Sequence, residues 1–111
     1  MTNQEINAAI AKACGWEDIS SGIGRIPLGT VKLRCRIPDY CSDLNAMNEA
    51  EETLTEEQWE SMFEFLIKIR WRDANDEQRK AYGSGKTLSP SRAKAKQRAE
   101  AFLRTVGKWE E

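Results

Sequence analysis

The sequence predicts an α+β fold, mostly helical, with about four helices and a small β element, and three observations carry that reading. Thr2 with Glu5, and Thr55 with Gln58, have capping-box spacing ahead of apolar residues that recur every three or four positions. Residues 29–37 instead alternate apolar with basic side chains, as a half-buried strand does. The length of 111 residues, 40% hydrophobic and 32% charged, suits one packed core and is too apolar for a disordered chain, so residues 1–111 read as a single domain.

In order along the chain, Ile6, Ala9, Ile10, Ala13 and Cys14 form the inner stripe of a first helix that Gly15 stops. Residues 16–25 lack a period and carry glycine, which predicts a surface loop. The strand over 29–37 then presents Lys32, Arg34 and Arg36 outward and ends at Pro38. Asp39 is placed to cap a second helix with the stripe Tyr40, Leu44, Met47, Ala50 and Leu54. Leu54 and Trp59 stand in the staple positions of a third helix, whose stripe is Trp59, Met62, Phe63 and Leu66 and which runs to about Ile69. Residues 63–71 also alternate as a strand would, but the start signal favours the helix. From Arg72 to Ser89 the chain reads as a long polar loop. Ser89 and Pro90 then open a fourth helix with the stripe Ala95, Ala99, Phe102, Leu103 and Val106, ended by Gly107, after which Trp109 folds back or anchors a partner.

Composition narrows the function classes. There is no histidine, so the commonest general base and metal ligand are both missing, and a zinc site would need Cys14, Cys35 and Cys41 plus a carboxylate. Three irregularly spaced cysteines are a poor disulfide framework and point to reduced thiols. No metal, no cofactor and no catalytic residue is expected, and the chain reads as a binder and not an enzyme. Gly83, Ser84, Gly85, Lys86 and Thr87 resemble the end of a phosphate loop, but Lys80 stands where that motif needs glycine. No apolar run is long enough for a membrane span, and the N-terminus lacks the basic start of a secretory signal, so a cytoplasmic location is expected.

The 17 basic and 18 acidic residues nearly cancel, yet they are segregated. Asp39, Asp43, Glu49, Glu51, Glu52, Glu56, Glu57 and Glu60 crowd the second helix and the start of the third, while Lys86, Arg92, Lys94, Lys96, Arg98, Arg104 and Lys108 lie on or near the fourth. Solvated faces that attract one another within the fold are the plainer account. The functional account is an anion-binding surface built from Arg98, Arg104 and Arg36, with Trp109 or Tyr40 stacking on a base. Helical phase puts Arg104 nearly opposite the apolar stripe, open to a ligand, and Tyr40 on the buried side of its helix. Duplex DNA is not expected as the partner, since a pI near 5.6 opposes nonspecific attraction to phosphate polymers.

Two blocks stand out together: IPDYCSDLNAMNEAE over residues 37–51, continued by LTEEQW over 54–59, and QRAEAFLRTVGKW over 97–109. With NAAIAKACGW over residues 7–16, they resemble the phage ABA sandwich domain family of small phage and prophage proteins. The resemblance covers roughly three quarters of the chain and departs between Arg70 and Ser91, where family members carry a strand leading into the last helix. It implies an α/β/α sandwich layering and a phage-encoded accessory protein without established enzymatic activity, acting in the host cytoplasm. Counter-defence by sequestering a nucleotide-derived immune signal is then the leading expectation. The alternative is a stoichiometric inhibitor of a host defence complex that works through the acidic face, as anti-CRISPR proteins do. The sequence leaves homo-oligomerisation open.

Overall fold

The computed structural model describes residues 1–28, 31–77 and 93–110. Its elements are helix α1 (Asn3–Ala13), strands β1 (Glu17–Ser20), β2 (Ile23–Leu28) and β3 (Val31–Arg36), and helices α2 (Leu44–Glu51), α3 (Glu56–Asp73) and α4 (Ala95–Thr105). The fold is α+β and mostly helical. No helix among the described residues is long and apolar enough to cross a membrane.

Helix α1 starts as its sequence predicts. The Thr2 hydroxyl accepts from the Glu5 N–H at 3.2 Å while Glu5 Oε1 accepts from the Thr2 N–H at 3.5 Å, satisfying two donors that a helix start leaves over. Gly15, at φ +98°, takes the chain out of the helix.

Residues 16–25, expected as a loop, instead form β1 and the first half of β2. The hairpin turns on Ser21 and Gly22, both at positive φ (51° and 80°), as a two-residue type I′ connection requires. A shift in register between Glu17 and Ser20, with Asp18 at φ 49°, marks a bulge in β1 that breaks the alternation a strand would otherwise show. The sheet is antiparallel in the order β1-β2-β3, and β2 pairs with β3 from Ile23 opposite Arg36 to Leu28 opposite Val31. Gly24 is needed for packing, because a Cβ there would lie 3.0 Å from Trp16 Cε3 and 3.2 Å from Ile19 Cγ1. The sheet joins the helical body chiefly through β1 on α1.

Helix α2 is capped by Asp43 and not by Asp39: Asp43 Oδ1 accepts from the N–H groups of Asn45 at 2.9 Å and Ala46 at 3.3 Å. The Asp39 carbonyl accepts from the N–H groups of Ser42 and Asp43 in the turn before the helix, and its carboxylate accepts from Asn7 Nδ2 at 3.1 Å. Leu44 therefore sits at the first helical position, exposed, and the core face of α2 is Ala46, Met47 and Ala50. Thr55 and Gln58 form the expected capping box on α3, which continues past Ile69 to Asp73. Its core face is Met62, Leu66 and Ile69; Phe63, expected in that stripe, faces out.

Helix α4 is the centre of the protein, since α1, α2 and α3 all pack on it. Ala99, Ala101, Phe102 and Leu103 are wholly buried there, each large apolar side chain contributing about 1.5–3 kcal/mol by leaving water. The helix ends in a Schellman arrangement: Lys108 N–H donates to the Leu103 carbonyl at 2.8 Å, Gly107 N–H donates to the Arg104 carbonyl at 3.3 Å, and Gly107 takes φ +74°. Trp109 then turns back against the core. Helix α4 starts at Ala95 with Lys94 as its N-cap and not at Ser89 and Pro90, which, with the phosphate-loop-like run at 83–87 and most of the expected loop from Arg72 to Ser89, lie outside the described residues; Arg72 and Asp73 belong to α3.

Candidate functional site

Five side chains are candidates for anion binding, and of these only Arg104 and Trp109 come together. Arg98 points from α4 into α2, where its Nη2 lies 2.6 Å from Glu51 Oε2 and its Nε 2.7 Å from Glu51 Oε1. This bidentate pair is nearly dry, with side chains 11% and 1% exposed. Glu51 belongs with Met47 and Ala50 on the inner face of α2 and is not part of an acidic surface. Arg98 is therefore the countercharge of a buried carboxylate.

Arg104 is expected to project into solvent, but α4 is surrounded and leaves no wide open face. Its Nε donates to Glu100 Oε2 at 2.8 Å, one turn back, and its guanidinium lies 5.3 Å from the centre of the Trp109 ring. Glu100 also accepts both terminal nitrogens of Arg72, at 2.8 and 2.9 Å, so one carboxylate ties α3, α4 and the C-terminal segment together. Burial pushes the Glu100 carboxyl up, the hydrogen bonds from Arg72 and Arg104 pull it down, and the net result lies below the ordinary carboxylate range. Asp73, held first by its hydrogen bond from Arg72, is also lowered.

Tyr40 is 4% exposed, and burial, reinforced by Cys14 and Glu49, pushes its phenol up to about 12. A ring so placed cannot stack on a ligand. Trp109 is half-buried beneath Arg104. Only Arg36 faces solvent, on β3, remote from α4 in the chain.

Several concave regions indent the described surface. A groove of about 690 Å³ between α1 and the β1–β2 turn is lined by Asn3, Glu5, Asn7, Ser20 and Asp39 among others, with no cation to hold phosphate. One of about 600 Å³ between α1 and the C-terminal segment offers Lys12 and Lys108, opposed by Glu5 and Glu110. None of the five candidate residues lines either, but Arg104, with Lys68, Arg72 and Glu100, lines a smaller one of about 240 Å³ between α3 and α4. Cys14, Cys35 and Cys41 are free thiols.

The outer surface of α2 and α3 is different. Glu49, Glu52, Glu56, Glu57, Glu60 and Glu64 are all exposed, and no ion pair among the described residues engages them. Alongside them, Trp59, Phe63, Ile67 and Trp71 recur every four residues along one side of α3. Phe63, Ile67 and Trp71 are 40%, 36% and 45% exposed, and the Trp59 and Phe63 rings lie 5.2 Å apart. Glu56, Glu60 and Glu64 form a ladder at the same spacing directly beside this stripe.

No protein-family model, curated protein or solved structure matches the chain. The site is therefore read from its own chemistry. Sequence reasoning found the carboxylates of α2 and α3 but assigned Trp59 and Phe63 to the core. The signal that separates them is phase, because Met62, Leu66 and Ile69 define a consistent inner face that leaves Phe63 and Ile67 outside.

Proposed function

We propose that the protein acts by stoichiometric binding, using the acidic and aromatic surface of α2 and α3 to occupy a basic, partly apolar cleft on another protein. The observation that carries this reading is the exposed Phe63 and Ile67 stripe set against the unpaired ladder of Glu56, Glu60 and Glu64. An apolar anchor supplies affinity when it leaves water, and a rim of one sign of charge supplies steering and selects a partner of the other sign. Clefts that bind nucleic acid have that character, which fits the resemblance to phage accessory proteins and an inhibitor of a host defence complex.

Sequestration of a nucleotide-derived signal is the weaker reading. Arg98 and Arg104 spend their charge on Glu51 and Glu100, Tyr40 is buried, and Arg36 stands apart from all of them.

The test compares the wild type with the Phe63→Ala/Ile67→Ser variant and with the Glu56→Lys/Glu60→Lys/Glu64→Lys variant, each at unchanged fold by circular dichroism. Purified nucleic-acid-binding defence complexes are titrated with each form, and mass and inhibition are followed together. The expected result is a one-to-one complex that weakens at least tenfold with either variant, or about 1.4 kcal/mol. A complex formed equally by all three forms overturns the reading. So does a thermal-shift response to a cyclic or linear nucleotide that Arg36→Ala abolishes.

A further inference from the structure

The strand register gathers a second charged surface. Residues directly opposite in an antiparallel pair share a face, so Arg25 opposite Arg34 and Ile23 opposite Arg36 place three arginines of β2 and β3 on one side of the sheet. Gly24 opposite Cys35 and Ile26 opposite Leu33 fall on the other side, where Trp16 and Ile19 lie over Gly24. Arg25, Arg34 and Arg36 are all exposed. Arg25 reaches Asp18 at 3.2 Å, whereas neither Arg34 nor Arg36 makes an ion pair among the described residues. Like charges set directly opposite in a sheet oppose its formation, so Arg25 and Arg34 are poorly explained by folding alone.

We propose that this face of the β2–β3 ribbon binds the phosphodiester backbone of a nucleic acid duplex. Guanidinium groups grip phosphate in a two-pronged fashion, and Arg34 and Arg36 lie about 7 Å apart along one strand, within reach of successive phosphates. The face carries no aromatic side chain, which argues against a single strand, where stacking supplies much of the affinity. Ile23, 38% exposed, is the one large apolar side chain described as exposed on it, fewer than a protein interface needs. The acidic pI of the whole chain argues against duplex binding, but of its 18 carboxylates only Glu17, opposite Arg25, and Asp18 lie on the strands of this sheet. This surface is distinct from the α2–α3 face, and the inference stands whether or not that face binds a protein.

Fluorescence anisotropy of the full chain with a labelled duplex DNA of arbitrary sequence tests it, with duplex RNA and single-stranded DNA as further arms. With three phosphate contacts, affinity falls about 40-fold between about 50 and about 200 mM salt, a log–log slope of about −2.7. In Arg34→Gln/Arg36→Gln the slope drops to about −0.9, and binding at the lower salt is largely lost. Arg34→Lys/Arg36→Lys keeps the slope, which separates lost charge from lost fold. Preference for either duplex over the single strand supports the proposal, and the two duplex arms tell DNA from RNA. Failure to bind either duplex at the lower salt overturns it, as does tighter binding of the single strand or a slope indifferent to the glutamine pair.

Discussion

Arg98 on α4 and Glu51 on α2 form a two-pronged ion pair, 2.6 Å at its shorter contact, within the apolar core. Removing Arg98 strands the Glu51 carboxylate in the core. Arg98→Ala is expected to lower stability by about 3 to 5 kcal/mol, whereas replacing both partners by apolar residues of similar volume is nearly neutral or stabilising. Urea denaturation of the single and double variants checks this. Equal loss in both would show that packing, and not the orphaned charge, sets the cost.

The second prediction concerns acid. Glu100 and Asp73 titrate below their unfolded values, so each contributes stability that is present above the ordinary carboxylate pKa, near 4, and is lost as pH falls through the lower folded value. The melting temperature should therefore hold from neutral pH to about 5 and fall steeply below about 4. Glu100→Gln should flatten that acid limb while lowering stability at neutral pH, where Arg72 and Arg104 lose their charged acceptor. An acid limb identical to that of the wild type would contradict the assignment.

Alkali acts on a different residue. Tyr40 titrates near 12 in the folded protein, against about 10 when unfolded. Its contribution is fully present below about 10 and disappears as pH rises toward 12. Ultraviolet titration of the phenolate should show a component near 12 that is absent in Tyr40→Phe. A wild-type titration complete by about 10.5 would place Tyr40 in water.

Gly24→Ala is the fourth case. The added methyl group would press on Trp16 and Ile19 at 3.0 and 3.2 Å, and overpacking of this kind costs about 1 to 3 kcal/mol. The thermal midpoint should drop, and the tryptophan emission should shift as the Trp16 ring moves. An unaltered midpoint and spectrum would mean that the ring adjusts freely.

Much of the fold was legible because its signals are local. Thr2 with Glu5 and Thr55 with Gln58 cap helices by contacts three residues apart, and the Ala99, Phe102 and Leu103 stripe is a property of one helix. The first hairpin was hidden: the bulge at Asp18 interrupts alternation, although Ser21 and Gly22 between Ile19 and Ile23 carry the turn signal. The candidate site was harder, since whether an arginine meets a ligand depends on what stands opposite it in space. Arg98 looked like part of a basic surface because Glu51 is 47 residues away in the chain. Arg104 looked open because one helix wheel cannot show that three other helices surround α4. Arg25 falls in a stretch without alternation, and only the strand register places it beside Arg34.

The position of α4 also bears on how the protein is made. A ribosome releases Glu51 47 residues before Arg98, which at about 5–20 residues per second is a wait of roughly 2 to 10 s. Throughout that interval the carboxylate must stay hydrated, so α1, α2 and α3 cannot close over one another while their common support is missing. Burying the Glu51 carboxylate before its counterion exists would carry a desolvation cost of several kcal/mol, which opposes early closure of the core.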